Sequence, residues 1–287
     1  HLNDSNREEN RAVLDVIRRR VDMFDRRFVF GEFSEEFERS GCYLPPESGL
    51  HAGYNFALLL ATDAAAIRAH LETLAQFPDH WPCIAFSNHD VIRTATRFGP
   101  GSAKAMLALL CALRGTILLY QGEELGLPEV DLRRDQLKDP VGDLYYPLFK
   151  GRDGCRTPMP WDAAAPALGF TSGAPWLPPG SDHAALAVSS QERDPDSALA
   201  FTRKWLGARN AHPALRSGTL TLLAGDALAF VREAGSEKIV CVFNLGEDGV
   251  RFDLPGPARA LELGTGEARL VGSALALGPG SAWFGAL

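Results

Sequence analysis

The chain has 287 residues, 46% of them hydrophobic, enough to bury the core of one large domain or of a large and a small one. A formal charge of −7 argues against nucleic acid or an anionic membrane surface as partner and leaves a neutral or cationic small molecule as the better match. Five cysteines (Cys42, Cys83, Cys111, Cys155 and Cys241) show no C-x-x-C spacing, no apolar run approaches the roughly 20 residues of a membrane span, and no secretory signal pattern is visible, so a reducing, cytoplasmic setting without a zinc site is expected.

Asn3, Asp4 and Ser5 are capping candidates for a first helix, in which Val13, Ile17, Val21 and Phe24 recur at spacings of three and four. RFVFGE then reads as a strand, and YNFALLL as a second. Ile67, Leu71 and Leu74 mark a helix, followed by the strand CIAFS. The pattern repeats with Ala103, Met106, Leu107, Leu110 and Leu113 on a helix and the strand TILLY opened by Gly115. Strands separated by helices imply parallel β/α units, whose active groups gather at the carboxyl ends of the strands. Those ends carry Glu32, then Asn88-His89-Asp90, then Gln121-Gly122-Glu123-Glu124. From Glu129 to about Asp194 the text lapses into Pro, Gly and Asp and reads as loop, long enough to be functional or a lid. A helix from about Ser197 to Asn210 follows. Beyond His212-Pro213 the runs TLTLL, ALAFVRE, KIVCVFNL, VRFDL, ARALEL and SAWFGAL predict a small antiparallel β-domain.

Three of these strand ends hold candidate chemistry. Glu32 follows Phe28, Val29, Phe30 and Gly31, and a carboxyl at the end of an apolar strand, where a glycine keeps the backbone beside it open, should have a raised pKa and could act as a general acid. The alternative is a surface or capping Glu in the run EFSEEFE. Asp90 could likewise be the N-cap of the helix after its strand. Glu123 and Glu124 read as structural, with hydrogen bonds that fix the loop after them.

Four motifs in order, VFGE, FSNHD, LLYQGEELG and GRDGCRTPMPW, resemble the α-amylase superfamily of glycoside hydrolases, and within it the α-glucosidase and oligo-1,6-glucosidase group. The resemblance is dense from about Asn6 to Trp161 and looser beyond. It implies an α/β part followed by an all-β part: the C-terminal portion of a (β/α)₈ TIM-type barrel, about strands five to eight with a loop-rich rim, over residues 1–212, and an antiparallel β-domain over 213–287. By the same resemblance Glu32 is the general acid/base, Asp90 the carboxylate that binds sugar hydroxyls and stabilises the transition state, and His89 a further hydroxyl ligand. Arg152 is expected near the non-reducing end of the sugar, paired with an acid from the N-terminal half and shaping a pocket. Asp153 and Arg156 are expected to form a structural salt bridge, and Arg93 and Glu129 to reach the leaving-group side.

The family's nucleophile, an aspartate in a motif like G-F-R-x-D, has no counterpart in this sequence. The implied protein is therefore the C-terminal part of a longer retaining α-glucosidase acting on small oligosaccharides or disaccharides, whose missing N-terminal half, on the same or a separate chain, is its partner. The chain alone is expected to be inactive. No cofactor is expected, and where relatives hold a structural calcium ion it belongs chiefly to the N-terminal half. A transglycosylase or sucrose-acting relative, such as a sucrose isomerase, shares the same groups. A non-enzymatic sugar-binding or partner-binding descendant is the third alternative, against which Glu32 and Asp90 speak. Trp205 reads as core and Trp176 as the one tryptophan near the mouth, with Trp81 and Trp283 left unassigned. His51, His70, His80, His183 and His212 lack metal-ligand spacing.

Overall fold

The computed structural model describes residues 7–33, 43, 44 and 48–287. The capping candidates Asn3, Asp4 and Ser5, and Cys42, lie outside the described residues. Helix α1 spans Glu8–Val21, with Glu8 and Glu9 in its first turn and Arg18, Arg19 and Arg20 in its last, the polarity that complements the helix dipole. None of its residues is buried, and Val13 and Val16 are 60% and 57% exposed.

Strands β1 (Phe30–Phe33) and β2 (Ala52–Asn55) run parallel, with Glu32 opposite Tyr54. The expected strand YNFALLL is corrected here: only its first two residues are extended, and Phe56–Leu60 forms a short helix, α2. An uninterrupted apolar run has no period of its own, and this one turns helical to bury Leu58 and Leu59. Helix α3 (Ala64–Ala75) is capped by Asp63, which accepts from the Ala66 N–H, and buries Ile67 and Leu71. Strand β3 (Cys83–Ile84) lies beside β2. After it come α4 (Thr94–Arg97), α5 (Ala103–Ala112) and β4 (Thr116–Ile117), the last parallel to β3.

Helix α5 is the central post, buried throughout from Ala105 to Ala112. Its C-terminal carbonyls would be orphans in an apolar setting. Two buried arginines satisfy them: Arg209 donates to the carbonyls of Cys111 and Leu113, and Arg232 to that of Ala112. Burial lowers the pKa of both guanidinium groups, that of Arg232 to about 10.

The segment expected as loop carries helical turns, including α6 (Pro140–Tyr145) and α7 (Val188–Gln191). Helix α8 (Ala198–Ala211), capped by the Ser197 hydroxyl, and α9 (Pro213–Ser217) lead into eight strands: β5 (Thr219–Leu223), β6 (Leu228–Ala234), β7 (Glu237–Asn244), β8 (Val250–Asp253), β9 (Arg259–Ala260), β10 (Ala268–Val271), β11 (Ala274–Leu277) and β12 (Ser281–Ala286). The hairpin β10–β11 has no counterpart among the strands read from the sequence. One sheet has the order β5-β6-β7-β12-β9 and the other β10-β11-β8. Val240 and Val242 of the first meet Phe252, Leu275 and Leu277 of the second in one apolar layer. The other face of the large sheet joins α5 and α8: Trp205, fully buried as expected, stands edge-on to Phe284 at 4.6 Å, in a core that also holds Ile84, Phe86, Met106 and Phe243. Among the described residues no helix is long and apolar enough to cross a membrane.

Candidate active site

Asn88 is the junction of the site. It follows β3 through the buried residues Ala85, Phe86 and Ser87, and is itself only 5% exposed. Its amide donates to Glu32 Oε1 at 2.9 Å, and its carbonyl oxygen accepts the Asp90 N–H at 2.8 Å. A side chain with both a donor and an acceptor thus ties the end of β1 to the turn after β3. Tyr54 faces Glu32 across the β1–β2 pair. Its phenol is pushed up to about 12 by burial, with the Glu32 carboxylate adding to the rise against the Asn88 hydrogen bond. Glu32 itself is exposed among the described residues.

Asp90 is reached by two arginines of the loop that follows β4. Arg152 Nη1 donates to Asp90 Oδ1 at 3.2 Å and Arg156 Nη2 to the same oxygen at 2.8 Å, while Arg156 Nε holds the His89 carbonyl at 2.7 Å. The exposed His89 ring lies 3.5 Å from Asp90. Arg156 is therefore a partner of Asp90 and not of the Asp153 carboxylate, which instead accepts the backbone N–H groups of Lys138 and Asp139. Within this chain Arg152 is paired with Asp139, whose fully buried side chain accepts from Arg152 Nε at 2.8 Å and from its N–H at 3.0 Å. The Arg152 guanidinium holds the Asp139 carboxyl down to about 2. Asp139 was not among the residues singled out from the sequence, where its signal is only an Asp-Pro pair at a helix start.

Below these groups lies a supporting layer. Glu123 is half-buried, and desolvation pushes its carboxyl up; the Tyr120 N–H and the hydroxyls of Thr94 and Ser87 pull the other way. Glu124 accepts from the Gly122 N–H at 2.7 Å, so both acids fix the turn after β4. Arg93, expected toward a leaving group, belongs to this layer: it is 1% exposed and donates to the carbonyls of Gln121 and Cys155, with its guanidinium 5.2 Å from the centre of the Tyr120 ring. The reason is local, since the turn after Asp90 points residue 93 inward beneath the strand ends. Glu129 accepts the Arg93 N–H at 3.0 Å, and burial raises its carboxyl. It also lines a groove of about 390 Å³ with Pro178, Pro179 and His183. Trp176 is 63% exposed. Among the described residues no three His, Cys, Asp or Glu side chains are arranged to hold a metal ion.

The arrangement places an accessible carboxylic acid, Glu32, within one amide of a carboxylate, Asp90, that carries two arginines, all at the carboxyl ends of parallel strands. Such a set can donate and take up a proton on one side and hold hydroxyl groups on the other. The α-amylase catalytic-domain model matches residues 9–218. A probable α-glucosidase of Rhizobium meliloti (strain 1021) is 40% identical over 270 residues, covering 89% of this chain and 49% of that protein. The oligo-1,6-glucosidase of Heyndrickxia coagulans is 33% identical over 214 residues, covering 65% and 38%. Among solved structures, the α-glucosyl transfer enzyme XgtA superposes with a TM-score of 0.91 at 39% identity, over 98% of this chain and 54% of that one. The chain thus spans about half the length of the relatives it matches. Its motifs, the geometry at its strand ends and these likenesses converge: the chain belongs to the α-amylase family of glycoside hydrolases.

Proposed function

We propose that the protein carrying this chain is a retaining, exo-acting α-glucosidase that releases glucose from the non-reducing end of short α-glucosides. In this reading residues 1–287 are its C-terminal portion, and the nucleophile comes from an N-terminal half that completes the barrel. The observation that carries the proposal is the Glu32–Asn88–Asp90 junction in a chain 40% identical to a probable α-glucosidase. The absence of a G-F-R-x-D motif and the half-length match to relatives support the division into two halves.

The chemistry follows from the placement. A carboxylate of the other half attacks the anomeric carbon, about 5 to 5.5 Å from the acid, while Glu32 protonates the departing oxygen. Glu32 then takes the proton of the water that releases the sugar. Asp90, with Arg152 and Arg156 behind it, holds sugar hydroxyls and faces the oxocarbenium-like transition state as a fixed negative charge. Arg152, on the side where the sugar ends, would also stop a longer chain from extending past it, so starch should be a poor substrate. The likeness to XgtA favours a second reading, in which an acceptor hydroxyl takes the place of water and the glucosyl group is transferred.

Proton NMR of maltose turnover by the full-length protein tests both. Glucose appearing first as the α-anomer supports retention, and glucosylated products at high maltose favour transfer. No cleavage of maltose, isomaltose or sucrose would sink the proposal.

A further inference from the structure

We propose that Asp139 is a positioning residue of this site: without touching a sugar, it aims Arg152 at Asp90. The inference rests on the reading of the site given above. Asp139 is the N-cap of α6, and its four hydrogen bonds use both carboxylate oxygens. Oδ1 accepts from the Val141 N–H at 3.1 Å and from Arg152 Nη2 at 3.4 Å; Oδ2 accepts from Arg152 Nε at 2.8 Å and from the Arg152 N–H at 3.0 Å. The guanidinium is a planar fork, so gripping its Nε–Nη2 edge fixes the direction of the remaining nitrogen, Nη1. That nitrogen is the one that meets Asp90, at 3.2 Å.

The grip is itself held. Asp153, fully buried, accepts the Asp139 N–H at 2.7 Å, so the cap cannot swing away from the loop that carries Arg152. Arg156 provides the contrast. It reaches the same oxygen of Asp90 but is anchored on the His89 carbonyl, with no contact to Asp139. Loss of Asp139 therefore releases one arginine of the pair and leaves the other, which makes the effect separable from a general collapse of the site.

A double-mutant cycle in the full-length protein tests this with p-nitrophenyl α-glucoside. Asp139→Asn keeps the volume and removes the charge; Asp139→Ser keeps an N-cap but cannot span to Arg152, and serves if the amide variant does not fold. Either should lower kcat/KM about ten- to a hundred-fold, the range of a charged hydrogen bond. In an Arg152→Ala background the same change should cost less than about threefold, because Asp139 acts only through Arg152. Losses that multiply in the double variant, or a single variant within about twofold of the parent, would overturn the proposal. Should the parent itself turn over no α-glucoside, the reading of the site fails, and a crystal structure of Asp139→Asn decides the positioning claim alone. Arg152 turned away from Asp90 supports it, and an unchanged contact of about 3.2 Å contradicts it.

Discussion

Asn88 serves Glu32 with its donor and Asp90 with its acceptor, a division that an aspartate at the same place could not make. The neighbouring acids are separated by their surroundings in the same way. The carboxyl of half-buried Glu123 is pushed up by desolvation, and that of Asp139 is held down by an arginine. Glu32→Gln in the full-length protein keeps the Asn88 contact and removes the proton. Turnover of maltose should fall by about 10²- to 10⁴-fold, the usual span for a lost general acid or base. An aryl glucoside whose leaving group needs little protonation should lose less. Equal losses on both substrates, measured side by side as kcat/KM, would reduce Glu32 to a positioning role.

At the scale of elements, the site depends on a close approach of two backbones. A Cβ on Gly142, inside α6, would stand 2.7 Å from the Lys150 carbonyl carbon and 2.9 Å from the Gly151 nitrogen, and Gly151 sits at φ +73°. The bare contact lets α6 carry Asp139 under Arg152. Gly142→Ala must push the loop away, at a cost of about 1–3 kcal/mol typical of overpacking. A lowered melting temperature with weakened sugar binding is expected, and an unchanged melting curve would contradict the close contact. Much of the surrounding architecture was legible beforehand. The helices at α1, α3, α5 and α8 have strong periods or caps, and the strand ends VFGE and FSNHD announce themselves by polar residues after apolar ones. YNFALLL was not legible, because an all-apolar run carries no period and its bend is set by the pairing of β2 with β1. Arg93 and Asp139 were not legible either. Whether a charged residue after a strand points to the mouth or into the frame depends on the turn that carries it, and a sequence window does not contain that turn's partners.

On the scale of the whole molecule, one core joins the β/α elements to the large antiparallel sheet, through Phe86 and Met106 on one side and Phe230, Phe243 and Phe284 on the other. The C-terminal strands are thereby an abutment for α5 and α8, and hold β3 and β4 in place from behind. The opposite flank is different. Val13, Val16, Met23, Phe24 and Phe28 are each at least 50% exposed, an apolar surface for the proposed N-terminal half to cover. The proposed division of labour places the acid/base on this chain and the nucleophile beyond it. The most direct test is to treat the full-length protein with 5-fluoro-α-glucosyl fluoride, which traps the glycosyl-enzyme intermediate of a retaining enzyme, and to locate the label by peptide mass spectrometry. A labelled carboxylate outside residues 1–287 is the predicted result; a label on Asp90, Glu32 or any other residue of this chain would contradict the account.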